Sequence, residues 1–191
     1  MGSRIAPFLT LSPVCPLRAQ RVVGGVLDRE SLRDLDGIHV VVEDLRADAQ
    51  EDGLTTQAVE EEVRRRLREA GVRYVGAERW VVEEGSPYLY VNVNTVKSEA
   101  EGLYVFGIDI QLNQTVRMIR NPSVAIPATT WTSGCRVGAV EVKGLPTLIE
   151  VIGESVQRFI KALEAVEGKE ASPEITPIKI EPQAPETKPE P

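Results

Sequence analysis

Histidine is nearly missing from this chain of 191 residues, which holds one, His39, and only two cysteines, Cys15 and Cys135. A zinc cage takes about four Cys or His ligands, so none is expected here, and histidine-rich catalysis is excluded with it. No phosphate-binding glycine loop and no serine-nucleophile elbow occurs, and no cofactor is expected. Gly24-Gly25 lacks any such fingerprint. The acids Glu43, Asp44, Asp48, Glu51 and Asp52 are dense, yet they lack the spacing and glycine of a calcium loop and read as a solvated, helix-capping loop. Long apolar runs are also wanting. The stretch from Ile5 to Val14 falls short of the roughly 20 residues a membrane span needs. Excess basic charge is absent too: 22 Lys and Arg face 29 Asp and Glu, a net charge of −7. A chain repelled by phosphate backbones is not expected to bind nucleic acid.

What is present suits a soluble domain, with a hydrophobic share of 42% and a charged share of 27%. Residues 1–20 place Arg4 ahead of the apolar run and Ala19-Gln20 after it, the order of parts in a secretory signal peptide. Pro7, Pro13 and Leu17 depart from that pattern, and a disordered arm is the alternative. Residues 169–191 hold six of the 13 prolines, interspersed with Glu and Lys, and predict an extended, disordered tail. One domain is expected between them, over 21–168.

Within that domain Gly37–Leu45 is a β-branched run read as a buried strand. A helix follows. Its apolar positions Val59, Val63, Leu67 and Ala70 recur every three or four residues, Thr55 stands at the N-cap with Leu54 and Val59 as the hydrophobic staple, and Gly71 closes it. Glu60, Glu61 and Glu62 precede Arg64, Arg65 and Arg66 by four, which predicts three i,i+4 pairs and leaves little free positive charge on that face. A brief strand is expected at Arg73–Ala77. In 87–96 and 103–118, apolar and polar residues alternate with a period of two, and SEAEG between them is a hairpin loop. Leu103 to Arg120 would span about 60 Å if straight, so a bend is expected, with Gly107 the candidate. Asn121-Pro122 turns the chain into an extended run, 123–131, whose Pro127 indicates a sheet edge. Leu145–Val166 reads as a second amphipathic helix ending at Gly168.

These elements predict an α+β fold: a two-layer sandwich of a mainly antiparallel, mixed sheet of about five strands with two helices packed on one face. The other sheet face is left polar. It carries Tyr88, Tyr90, Asn92 and Asn94 on one strand and Asp109, Gln111, Asn113 and Thr115 on its presumed neighbour. Asn and Asp are depleted in strands, so their density points beyond propensity. Amides beside tyrosine rings suit a polar ligand, an extended peptide or a subunit interface, while an ordinary solvated face is the bland alternative. The enzymatic alternative is a small hydrolase or transferase using Cys135 or a threonine near Trp131, with Asp109 or Glu43 as acid or base. It lacks a histidine partner, since His39 reads as a satisfied strand residue. A Cys15–Cys135 bridge is open to a chain that keeps its N-terminus in an oxidising compartment.

The phrases GIHVVVEDL, the 55–71 helix, PYLYVNVNT, ATTWTSG and the last helix together resemble a poorly characterised group of bacterial exported proteins. Their layout is similar to that of envelope accessory proteins, such as the TolB amino-terminal domain and the lipoproteins that assist outer-membrane transport. That resemblance implies a periplasmic or secreted domain that binds or scaffolds an envelope partner or a polar ligand, and the open sheet edge and face leave room for a homo-oligomer. It carries over no functional residue. A cytoplasmic interaction module is the alternative.

Overall fold

A computed structural model describes residues 29–167, so the expected signal peptide, the expected tail, Cys15 and the expected helix stop at Gly168 lie outside the described residues. The strands are β1 (His39–Val42), β2 (Tyr88–Ser98), β3 (Leu103–Met118), β4 (Asn121–Thr132) and β5 (Arg136–Glu141). The helices are α1 (Ala47–Glu51), α2 (Thr56–Glu69), α3 (Ala77–Trp80) and α4 (Leu148–Glu167), the last preceded by a 3-10 turn over Val142–Thr147. The five strands form one mixed sheet in the order β1-β2-β3-β4, with β5 also on β3. β1 runs parallel to β2, and all other pairings are antiparallel. Helices α2 and α4 pack on one face, and the expected α+β two-layer arrangement stands.

Local chemistry explains α2. The Thr55 hydroxyl accepts a hydrogen bond from the Ala58 amide at 3.2 Å, which satisfies one of the four amides a helix start leaves open. Leu54, Val59, Val63 and Leu67 are fully buried, each such burial being worth about 1.5–3 kcal/mol. Gly71 takes a φ of +76° just past the helix, a conformation that costs other residues more. Of the three expected Glu–Arg pairs, two form, Glu60–Arg64 and Glu62–Arg66. Arg65 turns instead to Glu62 and Glu69, and Glu61 accepts from Gln57. Helix α4 contributes Leu148, Ile152, Val156, Phe159, Ile160 and Leu163 to the same core, with Trp131 edge-on to Phe159 at 5.2 Å.

Several expected boundaries move. Arg73–Ala77 makes no strand, only a bridge between Tyr74 and Ile38, because Gly76 already opens α3. The acidic loop after β1 contains the short helix α1, held by Ala49 in the core. The β3–β4 turn is Ile119-Arg120, and Asn121-Pro122 belong to β4. β4 is an edge strand, as Pro127 indicates.

Strand β3 passes through Gly107 without a break. Its register irregularities fall at Leu112/Asn113 and Arg117/Met118 instead, where β4 carries the extra residues. The interruption lies in the strands beside it: β4 covers 111–118 of β3, β5 covers 103–108, and Ser133-Gly134-Cys135 joins them. Hydroxyls close that gap. The Ile110 amide donates to Ser133 Oγ at 3.1 Å, and the Ser133 amide donates to the Ile110 carbonyl at 2.8 Å. Strand β5 itself was not expected from sequence. Its Gly138 faces Phe106, whose Cζ would stand 2.6 Å from a Cβ at that position, so the glycine makes room for the ring.

Candidate functional site

The pairing register brings the polar residues together. Tyr88 faces Asn113, Tyr90 faces Gln111, Asn92 faces Asp109 and Asn94 faces Gly107, all on the sheet face turned away from α2 and α4. The opposite parity, Leu89, Val91, Val93 and Thr95 against Ile108, Ile110 and Leu112, is buried under the helices. A one-residue slip would exchange the two sets, so burial of one row holds the other in place. Thr115 is the exception among the expected site residues. It lies beyond the end of β2, pairs with Pro127, and donates its amide to the Gly85 carbonyl at 2.7 Å.

The side chains form two connected networks. In the first, the Tyr90 hydroxyl donates to Glu43 Oε2 at 2.6 Å, the Asn92 amide donates to the same oxygen, and Asn94 donates to Asn92 Oδ1. In the second, Gln111 donates to Asp109 Oδ2 at 2.7 Å and Thr132 to Asp109 Oδ1 at 2.9 Å. Thr129 donates to Asn113 Oδ1 at 2.7 Å and contacts Gln111 Oε1 at 3.2 Å. The Glu43 carboxylate raises the Tyr90 phenol above its ordinary range, since a hydroxyl that donates to a carboxylate resists losing its proton, and partial burial adds to this. Glu43, expected only as an acid or base of the enzymatic alternative, and Thr129 and Thr132, covered only by its threonine near Trp131, were not among the residues expected on this face. Glu43 follows β1 and reaches the face through the parallel pairing of β1 with β2; the threonines reach it from the edge strand.

One corner of the face is covered. Trp80 of α3 stacks on His39 at 5.4 Å, meets Tyr88 edge-on at 5.4 Å, and donates its indole N–H to the Ser86 carbonyl. His39 is a satisfied sheet-face residue, with Nδ1 2.8 Å from the Val75 carbonyl oxygen. Cys135 is exposed, and its Sγ would lie 3.7 Å from a Cβ at Gly107. His39 is three strand spacings away across β2 and β3, at least about 14 Å sideways and several residues further along β3, too far to act as its base. Both oxygens of Asp109 and one of Glu43 are already accepting hydrogen bonds. The arrangement holds amides, hydroxyls and carboxylates in positions fixed by their mutual hydrogen bonds. No group of three or more potential metal ligands occurs among the described residues, and no helix among them is long and apolar enough to cross a membrane. A cavity of about 320 Å³ lies elsewhere, between α4 and the β4 end, lined by Trp131, Ser133, Arg158 and Lys161.

No protein-family model and no curated protein matches the chain. Solved structures similar to it include the following two. One is the rare lipoprotein B of Shewanella oneidensis, at 13% identity over 68% of this chain and 93% of that one, with a TM-score of 0.27. The other is the PelC dodecamer of Paraburkholderia phytofirmans, at 21% identity over 67% of this chain and 86% of that one, with a TM-score of 0.34.

Proposed function

We propose that this chain is an exported, non-enzymatic binding or scaffold domain of the bacterial envelope, which engages a protein partner or polar ligand through the face built from Tyr88, Tyr90, Asn92, Asn94, Asp109, Gln111 and Asn113. One observation carries the reading: seven polar side chains from two neighbouring strands, six of them joined by hydrogen bonds in networks with Glu43, Thr129 and Thr132 and the seventh, Tyr88, held edge-on by Trp80, lie on a sheet face that the two long helices leave open. Fixed donors and acceptors reduce the ordering cost a ligand meets on binding. The Glu43 and Asp109 carboxylates favour ligands rich in donors, such as sugars or extended peptides.

Two measurements test this. The full-length gene is expressed in a bacterial host, and the mature N-terminus and compartment are read by mass spectrometry of fractionated cells. A periplasmic chain starting near Gln20 supports export; an intact cytoplasmic chain overturns it. A photo-crosslinking residue at Tyr90 is then compared with one at Lys161 on the exposed side of α4. Adducts specific to the Tyr90 position that disappear in the Asn92→Ala, Asn94→Ala double variant support the face as the site. Adducts that survive in a folded double variant remove the assignment.

A further inference from the structure

Beyond the polar face, the two ends of β3 carry surfaces that fit each other. Past Asn113 the β3–β4 hairpin has left β2 behind and projects as a two-stranded arm. Two strands alone are marginal in water, and they seldom expose apolar side chains unless something covers them. This arm pairs Val116 with Ile126, exposes Val124 beside Ile126, and ends in Ile119, which is 98% exposed. Its charges are Arg117 and Arg120, and no acid occurs between Asp109 and Glu141. In a chain of net charge −7 the arm is a basic, apolar projection.

At the other end of β3 the open sheet face changes from polar to apolar. Val96 pairs with Val105, Val105 with Ala139, and Gly107 with Val137, which gives a contiguous patch over β2, β3 and β5. Val96 is 65% and Val137 71% exposed. The rim of this patch is acidic, with Glu99, Glu101 and Glu141; Lys97 lies 3.5 Å from Glu99 but is bound more closely by Asp52 at 2.8 Å. The two surfaces are separated by the length of β3, roughly 50 Å for 16 residues, so one molecule cannot bring them together.

We infer that the basic arm of one copy docks on the acid-rimmed valine patch of a second copy, in a head-to-tail contact that adjoins the Asn94 end of the polar face. The occupant is a second copy because every chain carries both complementary surfaces, one basic and one acidic, in equal number. Such a contact is heterologous: each copy retains one unused surface, so the assembly closes into a ring or continues as a filament.

The test uses the full chain and two variants. Ile119→Asp with Arg120→Glu disables the arm; Val96→Lys with Val137→Lys disables the patch. All four positions are solvent-facing, and circular dichroism confirms folding. By sedimentation velocity the parent chain is expected as a multimer that dissociates at high salt, and each variant as a monomer. An equimolar mixture of the variants should give a one-to-one dimer and nothing larger, since only one intact arm meets one intact patch. A parent chain that stays monomeric at its highest soluble concentration overturns the inference. So does a mixture that stays monomeric while the parent assembles, or a parent multimer that either variant leaves intact.

Discussion

Ser133 is where the edge of the sheet is most open to challenge. Replacing it with alanine removes the Oγ that accepts from the buried Ile110 amide at 3.1 Å, while the Ser133 amide keeps its bond to the Ile110 carbonyl. Ile110 is fully buried and Ser133 nearly so, so water cannot readily take the place of the hydroxyl. Leaving a buried donor without a partner costs about 1–3 kcal/mol. Over about 140 described residues, unfolding entropy scales so that each kcal/mol lowers Tm by about 3–4 °C, and the Ser133→Ala variant should melt roughly 3–10 °C below the parent. Native-state hydrogen exchange gives the sharper assay. The Ile110 amide should exchange about 5- to 150-fold faster, the same free energy expressed as local opening, while amides of α2 move only with global stability. An unchanged Tm and an Ile110 amide as protected as in the parent would refute the idea that this hydroxyl bridges β4 and β5.

Thr95 sits on the helix-covered face, 2% exposed, with a hydroxyl that has no hydrogen-bond partner. Thr95→Val keeps its shape and removes that cost, so a gain of about 1 kcal/mol in denaturant unfolding is expected. Loss of stability would show that the hydroxyl is satisfied in solution. Tyr104 supplies a pH dependence: burial, and then its hydrogen bond to Asp52 at 2.7 Å, push its phenol from 10.0 up to about 12. A proton held more tightly in the folded chain stabilises it below pH 10 and is lost as pH rises toward about 12. Tyr104→Phe should therefore flatten the fall in stability across that window, read as urea midpoints against pH, and an unaltered slope would sink the assignment.

Much of the layering was legible because it rests on periodicity. The four-residue rhythm of Val59, Val63 and Leu67, with Thr55 and Gly71 at its ends, marks α2 by itself, and the period-two rows of β2 and β3 specify which side chains share a face. That is why seven of the eight expected site residues meet. What could not be read depends on partners distant in sequence. Gly138 looks like a loop residue until the Phe106 ring lies over it. Arg73–Val75 looks like a strand although only Ile38 offers it a ladder. Glu43 lies beyond the last strand residue, and its place beside Tyr90 and Asn92 follows from a parallel register that no local spacing encodes. The extra residue in β4 likewise decides that Thr129, rather than Thr130, stands beside Asn113.

The parallel seam between β1 and β2 bears on how the polar face comes into being. The antiparallel β2–β3 ladder closes across a short turn, whereas Glu43 and Asn92 are 49 residues apart in sequence, with three helices between them. Contacts that close long loops form late and at greater entropic cost. Strand β1 is also only four residues long and lies at the sheet edge, anchored to the core by Val40 and the adjoining Ile38. Its departure would take away Glu43 and release Tyr90 and Asn92 together. Loop length thus predicts that the β2–β3 half of the face forms before Glu43 joins it, and a partner that grips Glu43 would bind more weakly by the fraction of time the β1 latch is open while, once bound, holding β1 in place.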